Sequence, residues 1–111
     1  TSNVNRSSLK SSNKDQAGGL SGKPIREQST KLIKKFYKEL KGKAYIIGVG
    51  GVDSGKSAFE KITAGANAVQ LYTGMVYKGP VIVKEIKKEL IQILKSEGIK
   101  KISDAVGKNI Y

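Results

Sequence analysis

Glycine carries most of the chemistry this sequence can offer. Three clusters stand out: Gly18-Gly19-Leu20-Ser21-Gly22, Gly48-Val49-Gly50-Gly51 and Tyr72-Thr73-Gly74. The second and third follow directly on short apolar runs. At such a strand exit, the N–H groups of a glycine turn and of the next helix can converge on a phosphate. Glycine suits this task because a Cβ would block close approach and because such a nest needs positive φ. Taken singly, each cluster is equally readable as a plain turn. Two of them one βα unit apart point to a phosphate site of the kind many barrels build from the loops after strands seven and eight.

Other chemistries are excluded by composition. The 111 residues include no Cys and no His, so thiolate metal sites, disulfides, imidazole ligands and the commonest general base are all missing. No run reaches the roughly 18 apolar residues of a membrane helix, and the first residues hold no apolar signal core. By itself the chain reads as soluble and intracellular. The net charge of +12 invites a nucleic-acid reading. Against it, only Arg6 and Arg26 carry the guanidinium fork that specific readers favour. The lysines (Lys31, Lys34, Lys35, Lys38; Lys84, Lys87, Lys88, Lys95) fall on the solvent sides of predicted helices, away from aromatic residues, so no nucleic-acid partner is expected.

The elements that would position the clusters follow from hydrophobic period. Residues 1–23, rich in Ser, Asn, Lys and Gly, form a long loop, and loops of this length are usually functional or disordered. Arg26 to Leu40 is an amphipathic helix with Leu32, Ile33, Phe36, Tyr37 and Leu40 on one side. Ala44 to Val49 reads as a buried parallel strand. Ser54 or Asp53 caps a helix running to about Ala64, with Ala58, Phe59 and Ile62 inward and Gly65 as its stop. Ala68 to Tyr72 is a second buried strand, followed by a short turn through Tyr77. Pro80 then opens a helix to about Glu97, striped by Val83, Ile86, Leu90, Ile93 and Leu94. A last helical turn around Ser103 to Val106 precedes a frayed tail. Strands alternating with helices of this length mean an α/β class with βαβ units and a parallel sheet. Two strands cannot make such a sheet alone, so the chain looks cut out of something larger.

With these motifs in order, the sequence resembles the quinone-dependent, class 2 dihydroorotate dehydrogenases. The resemblance rests on Gly-Gly-Leu-Ser-Gly-Lys-Pro-Ile at 18–25, Ile-Ile-Gly-Val-Gly-Gly-Val at 46–52, Glu60-Lys61-Ile62, Ala64-Gly65-Ala66, Val69-Gln70-Leu71-Tyr72-Thr73 and Gly79-Pro80. It implies part of a TIM (β/α)8 barrel: the seventh and eighth βα units with the preceding loop and helix. Residues 1–23 would then be the loop after strand six, and residues 24–111 the C-terminal part of the barrel with the FMN-phosphate site. The resemblance further implies FMN contacts from Ser21 and Gly22, amides of Gly50 and Gly51 on its phosphate, and a grip completed by Tyr72 N–H and the Thr73 hydroxyl. The plain alternatives are Ser21 as a turn residue, Tyr72 as barrel core and Thr73 as a helix cap. Thr1 and Ser2 fall near the end of the family's Thr-Asn-Thr-Thr substrate motif, with Asn3 a ligand or an ordinary loop residue.

The resemblance implies dihydroorotate and orotate as substrate and product, quinone as acceptor, and a peripheral place on the cytoplasmic side of the inner membrane. The serine base, a lysine near the flavin, and the helices that meet quinone and membrane all lie outside this chain. No catalytic residue is therefore assigned within it, and the isolated chain is expected to be inactive. The missing barrel strands or a second chain would be needed. Two other readings stand beside this one: a lysine-rich basic binding module, and a non-functional remnant of a broken reading frame that would self-associate through bare strands.

Overall fold

The computed structural model describes residues 6–109. A long loop leads to a 3-10 turn, Lys23–Ile25, and then to α1 (Arg26–Leu40), β1 (Ile47–Val49), α2 (Gly55–Thr63), β2 (Ala68–Gln70), α3 (Thr73–Lys78), α4 (Ile82–Ser96) and a second 3-10 turn, Ile102–Ala105. β1 and β2 pair in parallel, with Ile47 opposite Ala68, Gly48 opposite Val69 and Val49 opposite Gln70. The chain is thus α/β with two parallel strands, as read from the sequence.

Strand parity divides the sheet into a packed face and a bare one. Gly48 faces the helices so closely that a Cβ there would lie 3.0 Å from Ala66 Cβ, 3.1 Å from Lys61 Cβ and 3.2 Å from Ile33 Cδ1. Ile33, Ala64 and Ala66 form one buried cluster with Ile46 against it, and Val52, Ala58, Ile82 and Ile86 form another, backed by Val69, Leu71 and Leu90. On the opposite face Ile47 is 61% exposed and Val49 45%. Both strands were expected to be buried on both faces. Nothing among the described residues covers the second face, which is the physical reason for the difference.

Local chemistry sets the ends of the elements. Ser54 caps α2, accepting from Ser57 N, and Ser57 reaches back to the Ser54 N–H to complete a capping box. Gly65 adopts φ 123°, and a Cβ there would lie 2.4 Å from the Tyr37 ring. Residues 107–109 dock instead of fraying: Gly107 N donates to Ile62 O at 3.0 Å and Asn109 N to Thr63 O at 3.1 Å. Both bonds go to carbonyls of the last turn of α2, where intrahelical partners run out.

Further expectations are corrected. α4 starts at Ile82, leaving Pro80 ahead of the first turn, and its anchor is Ile82 (1% exposed) instead of Val83. Residues 73–78 form a helix where a turn was expected. Regular pairing covers only the last three residues of 44–49 and the first three of 68–72. In α1, Ile33 is buried while Leu32 and Phe36 stay exposed. With Leu40, Tyr45, Ile47 and Val49 they line an open groove of about 400 Å³. The apolar stripe of α1 is wider than the core this chain supplies.

Candidate functional site

Three loops far apart in sequence meet at the ends where both strands exit. Ser21 Oγ and Thr73 Oγ1 are hydrogen-bonded at 2.8 Å across 52 residues. A Cβ on Gly22 would lie 3.1 Å from Thr73 Cγ2, one on Gly51 would lie 3.1 Å from Gly22 O, and one on Gly74 would lie 2.9 Å from Val52 O. The first glycine loop, the β1 exit and the β2 exit are therefore in mutual contact. Gly22, Gly50 and Gly51 have φ of 84°, 117° and 73°. Such backbone suits the anion nests formed by successive N–H groups, and it strains any residue with a Cβ.

The expected site residues separate on this geometry. Ser21, Gly22, Gly51 and Thr73 are brought together, and Gly50 adjoins Gly51 with its Cα against Ser29, where a Cβ would lie 3.0 Å from Ser29 Cβ. The Tyr72 side chain is 81% exposed in this chain, so it is not core here, and Tyr72 O accepts Met75 N at 3.0 Å. Thr73 does not cap α3. Tyr72 holds that position, and the Thr73 hydroxyl goes to Ser21. Thr1, Ser2 and Asn3 lie outside the described residues.

Two cations meet the Asp53 carboxylate beside these loops, and a third meets its main-chain carbonyl. Arg26 NH2 is 2.7 Å from Asp53 Oδ1 and Lys23 Nζ 3.9 Å from Asp53 Oδ2, while Lys78 Nζ donates to Asp53 O at 2.9 Å. The Arg26 contact is an ion pair without the alignment of a hydrogen bond, since that nitrogen has no hydrogen-bond partner. Arg26 and Lys23 share one carboxylate and Lys78 rests on a neutral carbonyl, which leaves an excess of positive charge suited to an anionic ligand.

Sequence reading did not find Arg26, Ser29, Asp53 or Lys61 in this surround. Arg26 Nε donates to Gly51 O at 2.6 Å, and Ser29 Oγ donates to Val49 O. Lys61 is fully buried and donates to Arg26 O at 2.8 Å and Thr30 Oγ1 at 2.7 Å. Burial, and then the Arg26 charge, push its pKa down to about 8, with Glu60 opposing. One faint signal existed: Arg26 is one of two arginines among 21 basic residues. The lysines expected on solvent faces, from Lys31 to Lys95, are exposed. Before the glycine loop, the Arg6 guanidinium gathers the carbonyls of Lys14 (3.1 Å), Gln16 (2.6 Å) and Gly18.

The fold and these loops define a parallel α/β protein whose strand exits meet in a glycine-rich junction bordered by cations. The dihydroorotate dehydrogenase family model matches residues 1–94, and the chain belongs to that family. It is 52% identical over 93 residues to the dihydroorotate dehydrogenase (quinone) of Trichodesmium erythraeum, covering 84% of this chain and 25% of that protein. To the mitochondrial dihydroorotate dehydrogenase (quinone) of Mus musculus it is 49% identical over 94 residues, 85% of this chain and 24% of that one. Among solved structures, a ligand-free DHODH from Eimeria tenella superposes with a TM-score of 0.92 at 41% identity, covering 98% of this chain and 30% of that one. The chain spans about a quarter of the length of the curated relatives it matches.

Proposed function

We propose that this chain is the FMN-phosphate-holding part of a dihydroorotate dehydrogenase, formed from the seventh and eighth βα units of a (β/α)8 barrel and the loop before them. The observation that carries the reading is the junction of three distant loops, with Ser21 Oγ 2.8 Å from Thr73 Oγ1 and Gly22, Gly50 and Gly51 all at positive φ. A dianionic phosphate fits such a cradle, since amide dipoles and nearby cations stabilise it without a Cβ in the way. Gly22, Gly50 and Gly51 would offer main-chain N–H groups, Ser21 and Thr73 their hydroxyls, and Tyr72 its amide. When bound, FMN supplies the redox chemistry; these residues orient it by its phosphate and take no proton.

The activity belongs to the whole protein: oxidation of dihydroorotate to orotate with quinone as acceptor, in pyrimidine biosynthesis. Polypeptide outside this chain would bring the general base, the quinone contact and the attachment to the inner membrane; no helix among the described residues is long and apolar enough to cross a membrane. The bare sheet face and the groove beside α1 are where the remaining strands would pack. Purified chain should therefore show no turnover of dihydroorotate with a quinone. A chimera in which it replaces the matching region of the Trichodesmium erythraeum relative should retain both flavin and turnover. A chimera that folds but holds no flavin would overturn the proposal.

A further inference from the structure

The β1 exit is held from behind by the helix that precedes it. Arg26 and Ser29, three apart on α1 and so on one side of the helix, take the carbonyls of Gly51 and Val49 respectively. In a trans peptide unit C=O and N–H point in opposite directions, and no peptide bond among the described residues is cis. Fixing the Val49 and Gly51 carbonyls against α1 therefore turns the N–H groups of Gly50 and Val52 away from it. Arg26 also meets Asp53, so one side chain grips the turn at two points. Its own main chain is tied in turn, because Arg26 O accepts from both Lys61 Nζ (2.8 Å) and Thr30 Oγ1 (2.9 Å). Lys61 reaches this point from α2 with its side chain wholly buried, and it donates to an oxygen of the backbone and to a hydroxyl. A buried cation is costly to keep, and here it is spent on fixing one turn of α1.

We propose that Arg26, Ser29 and Lys61 are positioning residues that set the peptide orientation of the Gly50-Gly51 turn, and through it the preference for a phosphorylated flavin over an unphosphorylated one. The inference rests on the phosphate reading above and extends it to residues that do not touch the ligand. It also separates orientation from charge: Ser29 is uncharged, so its removal would leave a purely electrostatic attraction intact.

The test is to titrate the full chain and its Arg26→Gln, Arg26→Lys, Ser29→Ala and Lys61→Met variants with FMN and with riboflavin, following flavin fluorescence, with a thermal melt of each. The wild type should prefer FMN. Arg26→Gln should weaken FMN binding about tenfold, a difference of about 1.4 kcal/mol, and leave riboflavin unchanged. Arg26→Lys should restore part of the preference, while Ser29→Ala and Lys61→Met should each reduce it by a smaller factor. A preference for FMN that survives intact in folded Ser29→Ala, whatever Arg26→Gln shows, overturns this inference alone. A wild-type chain with no preference for FMN overturns the phosphate reading and this inference with it. Should Arg26→Gln fail to melt cooperatively, Ser29→Ala, which removes one hydroxyl, decides the question by the same ratio.

Discussion

The two faces of the β1–β2 pair are built from neighbouring residues and meet opposite fates. Gly48 and Val69 lie against α1, α2 and α4 in a close-packed layer, while Ile47 and Val49, one residue to either side of Gly48, stand open to solvent. Both faces are apolar enough to be interior. The difference teaches that local pattern reports what a residue is made to pack against, whereas actual burial depends on which elements are present. The same split runs through α1, where Ile33 is buried and Leu32 and Phe36 are not. It places the glycine loops at the edge of a layer that is finished on one side only.

The largest effect should come from the packed side. Ile82→Ala, at a residue 1% exposed, should cost about 2–5 kcal/mol in chemical denaturation. A loss below about 0.5 kcal/mol would mean that the helix layer is not the cohesive part. Next, Gly65→Ala should cost about 2–4 kcal/mol, because φ is 123° and the new methyl would meet the Tyr37 ring at 2.4 Å. That substitution sharpens the comparison by testing contact distance apart from apolar burial.

Lys61 tests the packed side by charge. Its folded pKa of about 8 lies below the ordinary 10.5, so the protonated form is disfavoured in the folded chain. The unfolded state binds more protons between those values, and stability should therefore rise as pH goes from about 8 to about 10.5. Lys61→Met should remove that rise relative to the wild type across the same window, read by melts at successive pH. An identical pH dependence in both would show that the amine is not held away from water. The smallest effect belongs to the bare face. Ile47→Ala should change the stability of this chain by less than about 0.5 kcal/mol while reducing self-association in sedimentation. In the chimera its cost should climb toward that of a core residue.

Much of this was legible in the residues. The period of Leu32, Ile33, Phe36, Tyr37 and Leu40 located α1, and the glycine clusters at strand exits located the loops that meet. What escaped depends on contacts no local pattern encodes. The α4 stripe was read one position out at its start because Pro80 looked like a first-turn residue, whereas Gly79 at φ 78° turns the chain before the helix begins at Ile82. α3 is only six residues long, too short for a period to emerge around the Thr73-Gly74 motif. The bracing of Val49 and Gly51 by Ser29 and Arg26 joins residues 20 and 25 apart, so a serine and an arginine on a helix face gave no hint of it. Lys61 sat among nineteen lysines that otherwise look like solvated surface.

The central claim is that main-chain amides from three separate loops converge on one phosphate. Amide-resolved NMR of the labelled chain, titrated in parallel with FMN and with riboflavin, tests it most directly. The account predicts that the N–H signals of Gly22, Gly50, Gly51 and Tyr72 move together with FMN and stay nearly still with riboflavin. Signals that respond equally to both flavins, or an FMN response confined to the lysine-rich faces of α1 and α4, would contradict it.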